Sequence, residues 1–399
     1  MSKPLPRLLW AILLIGLVLR VGWAMVQPNS DQTIDRLPDQ REYLSLAQNL
    51  LGHGSLYFVD PRFNQAVYAY RMPGYPLFLA ICHGSVRIAR LAQCLIDVST
   101  LLAVFLIGRR LSDSPRVGLF AAGLMAVNPF YIYFCGLILT ETLFAASIIW
   151  AIWSLVNRRW LMATAFLVTA TCLRPTGLPF LPVLVMVGSL NPQTPLSYRL
   201  WDALRRCTIA TFIVLMCLYP WARRNDQRLG QWIWTTTNAG ITLYDGFNPA
   251  ATGASDQRFV TQLPLVKTIN EVDRSRFFEA RARDWIGRNW QTIPLLSARK
   301  LLRGWSPVPL SQDFGRTAYR WISAAYTVPF DLLCLVGLFS PALSRRAKVL
   351  IVMPALIVTL AQVMSVGSIR YTMPAEAPLA VLAAVAMMDV LQRKSRRLR

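Results

Sequence analysis

The chain has 399 residues and a formal net charge of +22, and 54% of its residues are hydrophobic while only 16% are charged. Soluble globular domains carry about 25% charged residues, and disordered chains are poor in apolar ones, so this composition argues against both classes. The mean hydropathy is positive, at +0.39. The composition therefore predicts an all-α polytopic membrane protein.

Arginine supplies most of the excess positive charge, and its pairs flank apolar runs. These basic groups lie at 109–110, 158–159, 205–206, 345–346 and in the tail 393–399. Such placement is typical of membrane topology rather than of a nucleic-acid-binding face. We therefore expect the lipid bilayer as a partner and no nucleic acid.

The seven cysteines and two histidines offer little metal or redox chemistry. The cysteine count is odd, most cysteines lie inside apolar runs, and no CxxC motif occurs, so neither a disulfide framework nor a zinc site is indicated. The sequence predicts no cofactor, although a divalent metal remains open.

Ten membrane spans are predicted from apolar runs, at roughly 20 residues for a full span. They are 8–26, 88–108, 116–136, 140–156, a hairpin of two short spans in 160–190, 207–222, 320–340, 348–367 and 372–391. The apolar stretch 75–83 is too short to cross. With Lys3 and Arg7 inside, and Arg174 at the outer tip of the hairpin, the arginine pairs all fall inside, as the positive-inside rule requires. Both termini are then cytoplasmic.

This topology divides the chain into three parts. Residues 1–222 form a seven-span catalytic module with a first outer loop at 27–87, residues 223–319 form a large outer loop, and residues 320–399 form a three-span module with a basic tail. Most acids of the N-terminal module then lie outside, and the deep acids are few: Asp97, Asp331 and, near a helix start, Glu376. An ion-coupled transporter places its charged relay near the bilayer midplane, so the polar chemistry is predicted on the outer face instead.

The first outer loop carries a predicted amphipathic helix with Asp39 at its start and Glu42 three residues later. That spacing fits a capping box, in which the two side chains bond to the backbone of the first turn. It also fits a carboxylate held above the membrane that takes a proton from an incoming hydroxyl. Both interpretations stay open at this point.

Several short motifs together resemble a known family. DxxEYxxLAxNLL from Asp39 and RxPGYPLFLA from Arg71 resemble the first luminal loop of the GT-C membrane glycosyltransferases. The most similar branch is the family 39 type, related to protein O-mannosyltransferases and aminoarabinose transferases. Further matches follow in chain order at 128–129, 139–144, 173–178, 220–225, 237–249 and 370–374.

The resemblance implies a GT-C-type fold of about ten transmembrane helices, with juxtamembrane helices and a large outer loop. It also implies transfer of a sugar from a polyprenyl-phosphate donor to an unknown glycan, lipid or protein acceptor. Transfer would invert the anomeric carbon and take place on the outer face, which we expect to belong to a bacterial inner membrane. Asp39 would act as the base.

Candidate substrate-binding residues are Glu42, Tyr43, Arg71, Tyr75, Glu141, Arg174, Lys300, Arg303, Arg370 and Tyr371. Arginine forks bind phosphate oxygens in pairs, which suits a phosphate leaving group. The alternatives are interfacial side chains that reach towards lipid head groups, a helix-start acid for Glu141, and carbonyl capping for Arg174. Asp97 is expected to form hydrogen bonds within the bundle.

The large outer loop contains five tryptophans that suit either sugar stacking or the membrane interface: Trp232, Trp234, Trp285, Trp290 and Trp305. Its residues 271–290 have helical periodicity, and 295–305 form a basic amphipathic stretch expected on the bilayer. Two other functions remain open, a flippase or transporter for a lipid-linked sugar and a polymerase or ligase of surface polysaccharide. The flippase would need polar residues through the whole membrane depth.

Overall fold

The computed structural model describes residues 7–189, 194–310 and 317–397, and nearly all of their regular secondary structure is helical. The N-terminal helices are α1 (Arg7–Val26), α2 (Asp31–Asp35), α3 (Pro38–His53), α4 (Gly74–Ile81), α5 (Val86–Ser112), α6 (Pro115–Ala126), α7 (Pro129–Cys135), α8 (Glu141–Val156), α9 (Trp160–Leu173), α10 (Phe180–Ser189) and α11 (Leu196–Leu229). The later helices are α12 (Ala239–Gly246), α13 (Phe259–Gln262), α14 (Glu271–Arg288), α15 (Ile293–Gly304), α16 (Thr317–Leu338), α17 (Arg345–Met364) and α18 (Met373–Arg397). Strands β1 (Phe58–Asp60) and β2 (Gln65–Val67) form an antiparallel hairpin between α3 and α4, with Phe58 opposite Val67.

Six of these helices are long and apolar enough to cross a membrane: α1, α5, α11, α16, α17 and α18. The pair α6 and α7 forms a seventh span if its 55° bend is counted within one crossing, and α8, α9 and the segment 175–189 are shorter apolar helices. Each predicted span thus coincides with a helix or a bent pair, and the all-α polytopic membrane class is confirmed. The count of ten stays a prediction, and Lys3, residue 190 and the end of the basic tail lie outside the described residues.

Two helices differ from the spans predicted for them, one by extending beyond its span and one by breaking within it. The span predicted at 207–222 belongs to a 34-residue helix, α11, that continues to Leu229 and ends where Gly230 adopts a left-handed conformation with φ of 66°. Glycine favours this helix-ending geometry because it has no Cβ. The span predicted at 116–136 is broken after Ala126, since Pro129 opens α7 and the Asn128 side chain accepts hydrogen bonds from Phe130 N and Tyr131 N.

A buried arginine stabilises the end of α6 at this break. Arg20 on α1 pairs with Asp97 on α5, and both side chains are 0% exposed. The same guanidinium donates to Met125 O at 3.0 Å and Ala126 O at 2.9 Å, the carbonyls at the end of α6. The expected role of Asp97 within the bundle is confirmed, with Arg20 as its partner.

The core lies where α5, α6, α8 and α18 pack against one another. Helices α5 and α6 approach so closely that a Cβ on Gly118 would lie 2.5 Å from Phe105 O. Small residues permit such backbone approach in membrane bundles, where dispersion contacts rather than the hydrophobic effect hold helices together. This packing fixes the positions of the segments that carry the charged side chains described next.

Candidate active site

Six charged side chains from distant parts of the chain form one alternating series of acids and arginines. The order is Glu42, Arg71, Asp39, Arg370, Glu141 and Arg174, and we call it the acid–arginine network. The three carboxylates and three guanidiniums balance in charge. All six were predicted as site residues from the sequence, and the structure brings them together.

Asp39 lies at the centre of the network. Its Oδ1 is 2.5 Å from Arg71 Nη2 and its Oδ2 is 2.7 Å from Arg370 Nη2, and 23% of the side chain is exposed. Helix α3 has Leu37 at its N-cap and Pro38 as its first residue, with no side-chain cap hydrogen bond. The capping-box interpretation of Asp39 and Glu42 is therefore wrong, because both carboxylates bind arginines instead of the helix start.

Arg71 holds Glu42 as well as Asp39. Its Nε donates to Glu42 Oε2 at 2.6 Å, while its Nη2 reaches Asp39. Arg71 lies just before Pro73, where the chain turns into α4. This single guanidinium therefore joins two carboxylates of α3 to the segment that leads into the next helix.

Glu141 forms the second acidic centre, in the first turn of α8, and its side chain is 2% exposed. Its Oε1 lies 3.1 Å from Arg174 Nη1 and 2.9 Å from Arg370 Nε. Arg174 follows α9 in an extended conformation, which the residue before a proline prefers. The proposed carbonyl-capping role of Arg174 is not what its side chain does here, since it pairs with Glu141.

Three tyrosines surround the network. The Arg71 guanidinium lies 5.4 Å from the Tyr43 ring centroid, and the Arg174 and Arg370 guanidiniums lie 5.0 and 5.2 Å from that of Tyr371. Tyr75 contacts Tyr43 edge-on at 4.9 Å and is 0% exposed, and its hydroxyl donates to Gln93. Tyr75 therefore supports Tyr43 from behind.

The electrostatics of the two neighbouring carboxylates diverge. Burial alone would raise the pKa of Asp39, but Arg71 and Arg370 outweigh it and hold that pKa well below its usual range. For Glu42 burial is the stronger effect and raises the pKa above its usual value. The positive charge of Arg71 lowers this pKa, but the negative charge of Asp39 raises it further. Opposite shifts in adjacent acids are typical of sites that move protons.

Sequence reasoning missed two residues that extend the network. Arg62 pairs with Asp60 at 2.7 Å and approaches Glu42 Oε1 at 3.8 Å, and its Nη2 also donates to the Tyr70 hydroxyl at 2.8 Å. Asp60 and Arg62 are two residues apart in the hairpin between β1 and β2. An acid and an arginine at that spacing in the first outer loop were the available signal.

Two predicted phosphate ligands on α15 lie outside the network. Lys300 is 0% exposed, its Nζ donates to Val363 O at 2.9 Å, and the ammonium lies 3.5 Å from the Phe247 ring centroid. Burial lowers the Lys300 pKa to about 8, against the attraction of Asp245. Arg303 is partly buried and makes no ion pair with the part of the chain that the structure describes.

Among residues 7–189, 194–310 and 317–397, no group of three or more His, Cys, Asp or Glu side chains is placed to hold a metal ion. Guanidiniums occupy the positions between the carboxylates of the network. The positive charge in this arrangement is therefore supplied by arginines of the chain.

Comparisons with known proteins define the fold. No protein-family profile and no curated protein sequence matches the chain. Among solved structures it is similar to the archaeal oligosaccharyltransferase AglB from Archaeoglobus fulgidus, in complex with an inhibitory peptide and a dolichol-phosphate, with a TM-score of 0.58 and 13% identity. It is also similar to the apo form of the Archaeoglobus fulgidus oligosaccharyltransferase, with a TM-score of 0.56 and 14% identity.

Both alignments cover 98% of this chain and 51% of the other, so the chain spans about half the length of these structures. The likeness shows that the protein has a GT-C-type fold, as the sequence motifs predicted. It shares this fold with these oligosaccharyltransferases.

Proposed function

We propose that this protein is a membrane glycosyltransferase of the GT-C type, similar to family 39, that moves a sugar from a polyprenyl-phosphate donor to an acceptor on the outer face of the membrane. The acid–arginine network carries this proposal, since its parts come from five separate segments that converge beside the predicted outer ends of the spans. The GT-C fold supports it, as does the dolichol-phosphate bound by the archaeal AglB.

In this proposal the arginines bind the donor phosphate. Arg71 and Arg370 each bridge two carboxylates, so each holds its guanidinium fork at the edge of a partly exposed site, with 16% and 25% of the side chain exposed. Paired N–H groups match phosphate oxygens, and ionic hydrogen bonds are about twice as strong as neutral ones. A phosphate at this point would exchange one carboxylate contact of each arginine for its own oxygens.

Asp39 then acts as the base in a single displacement. The acceptor hydroxyl oxygen attacks the anomeric carbon, the bond from that carbon to the phosphate oxygen breaks, and the electron pair leaves with the polyprenyl phosphate. The hydroxyl proton passes to the Asp39 carboxylate. Attack from the face opposite the leaving group inverts the anomeric carbon, which is why one base suffices.

A carboxylate with a low pKa is a poor base, and donor binding corrects this. The Asp39 pKa is low because two guanidiniums face it. A phosphate that binds the same guanidiniums neutralises part of their charge and brings negative charge close, and both effects raise a carboxylate pKa. The base therefore becomes effective only when the donor is in place, which limits proton uptake in the empty site.

The decisive experiment measures release of polyprenyl phosphate by the purified protein in nanodiscs. The donors are polyprenyl-phosphate hexoses and pentoses, and the acceptor is a total envelope extract. We expect release that depends on the extract and on Asp39. In a parallel assay with the protein reconstituted in liposomes, transfer of intact donor across the membrane without release would support a flippase instead. Growth of a polymer on the lipid would support a polymerase.

A further inference from the structure

A concave surface lies outside the acid–arginine network, on the segment 230–310 that follows α11 and is predicted to lie outside. It is formed by the loop 231–239 and the first turns of α14, and its cavity volume is about 470 Å³. Small-molecule sites usually measure about 300–1,000 Å³, so the space fits one or two sugar rings. We call it the outer cleft.

The outer cleft combines one aromatic face with several hydrogen-bonding side chains. Trp232 lines it and is 49% exposed. Around this ring stand polar groups that donate and accept: Gln231, Thr236, Ser275, Arg276 and Glu279. A sugar presents an apolar C–H face and a rim of hydroxyls that both donate and accept, and this lining is complementary to it. Arg276 and Gln231 already bond to each other and Glu279 pairs with Arg283, so these groups are held in fixed positions and present their remaining donors and acceptors to the cleft.

The aromatic face is held in place before any ligand arrives. Trp232 stacks on Trp234 with ring centroids 6.2 Å apart and interplanar angle 29°, and its other neighbour, Tyr219, lies at 5.9 Å. Arg276 donates to Gln231 at 2.6 Å, which joins α14 to the loop that carries the tryptophan. A preformed surface loses little conformational entropy on binding.

The outer cleft is joined to the network through one short segment. Thr237, which lines the cleft, donates its backbone N–H to Ala69 O at 2.8 Å and its hydroxyl to Glu271 at 2.7 Å. Glu271 accepts in turn from the Tyr68 N–H at 2.7 Å. Ala69 is two residues before Arg71, a reach of at most about 7 Å along the chain. This hydrogen-bonded segment places the cleft next to the part of the chain that carries Arg71.

We propose that the outer cleft binds carbohydrate, as a subsite for the non-reacting sugars of a glycan acceptor. The assignment of the ligand as acceptor rests on the proposed glycosyltransferase function. The carbohydrate-binding property itself does not, because it follows from the chemistry of the cleft.

The test measures binding without any donor. Fluorescently labelled neutral di- and trisaccharides of glucose, mannose and galactose are titrated into the purified full chain in nanodiscs, and polarisation is recorded. We expect at least one to bind, Trp232→Ala to weaken that binding by tenfold or more, and Trp232→Phe to retain most of it. Trp290→Ala is the matched control, since Trp290 is 66% exposed on the same outer segment but lies outside the cleft lining.

The outcomes separate this site from the proposed function. If no oligosaccharide binds, or if Trp232→Ala and Trp290→Ala bind equally well, the proposal is overturned and Trp232 serves only the membrane interface. In the transfer assay, Trp232→Ala should raise the KM for a glycan acceptor and leave the donor KM unchanged. If the protein binds oligosaccharide but has no transferase activity, the carbohydrate site is supported and the proposed glycosyltransferase function is rejected.

Discussion

At the scale of single residues, the central feature is that two arginines each hold two carboxylates. Arg71 bridges Asp39 and Glu42, and Arg370 bridges Asp39 and Glu141. Removing one member of such a group leaves a partner charge unpaired in a partly buried site, which costs more than the pair contributes. Substitutions that keep shape and hydrogen bonding are therefore the informative ones.

Asp39→Asn should reduce transfer by about 100-fold or more, the scale of general base catalysis, because the amide cannot take a proton. Glu42→Gln should cost less, since Glu42 positions Arg71 and does not receive the proton. The measurement is the initial rate of polyprenyl phosphate release, with circular dichroism and gel filtration to verify folding. A well-folded Asp39→Asn protein with near-normal transfer would show that Asp39 is not the base, and Glu42 would become the next candidate.

The pH dependence should reveal the effect of the donor on the base. In the free protein the Asp39 pKa is depressed, so the carboxylate stays ionised far into acid. Bound phosphate offsets the arginine charge and raises that pKa. The acidic limb of the rate at saturating donor should therefore lie at higher pH than the acidic limb of kcat/KM for the donor. Coincident limbs would show that the donor does not engage Arg71 and Arg370.

Arg370→Ala should raise the donor KM and leave the acceptor KM nearly unchanged. An ionic hydrogen bond is worth about 1.5–3 kcal/mol, which corresponds to roughly 10- to 150-fold. The donor KM of Arg370→Lys should lie between those of the unmodified protein and Arg370→Ala, because lysine keeps the positive charge but lacks the paired N–H groups of the guanidinium. Arg283→Ala is the control, since Arg283 is 74% exposed and, among the residues that the structure describes, forms its one ion pair with Glu279. Equal donor KM values for the Arg370 and Arg283 variants would reject the phosphate role.

At the scale of elements, the break between α6 and α7 organises the centre of the bundle. Asn128 caps α7 and donates to Glu376 on α18 at 2.8 Å. Arg20 binds the carbonyls that end α6 and is paired with Asp97. The break exposes backbone groups at membrane depth, and these are tolerated only when the protein supplies their partners.

Arg20→Leu should lower the free energy of unfolding by about 3–5 kcal/mol, since it strands the Asp97 charge in an apolar interior. Adding Asp97→Leu removes that charge, so the double variant should be more stable than Arg20→Leu alone. Recovery should be incomplete, because Met125 O and Ala126 O still lack their donor. Thermal unfolding in detergent measures all three proteins. A double variant less stable than Arg20→Leu would show that the pair itself matters little.

At the scale of the whole molecule, contacts between distant segments join residues 230–310 and the loop 27–87, both predicted to lie outside, with the turn at 369–371. The Asp39–Arg370 pair joins residues that are 331 positions apart, and Glu271 joins α14 to residues 68–69. These contacts agree with a topology in which both segments lie outside. They also fix the position of residues 230–310 relative to the part of the chain that carries Asp39.

Labelling of single cysteines tests that topology. In a background without the seven native cysteines, a cysteine at Asp256 should react with an impermeant maleimide in intact cells. One at Arg205 should react only after the membrane is opened, because the predicted hairpin in 160–190 returns the chain to the inside. Labelling of both sites in intact cells would refute the hairpin and change the number of crossings.

The resemblance in the sequence identified all six members of the network, but it did not reveal how they are joined. Asp39 was equally compatible with a helix cap, because a capping box and a network carboxylate share the same spacing. Lys300 looked available for phosphate, yet it is buried against Val363 and Phe247. Helical periodicity predicts that α15 is amphipathic, but not which protein or lipid surface each side will meet.

The membrane class and the approximate helix positions could be read from the sequence, because hydropathy is a local property that acts within a few turns. The break at Asn128-Pro129 lies inside 116–136, which was predicted as one continuous span. The ordered motifs also pointed to the GT-C-type fold. Which charges meet is set by the packing of the helices. The pairing of Arg20 with Asp97 and of Asp39 with Arg370 depends on helix packing, and no local pattern encodes a contact between segments that far apart.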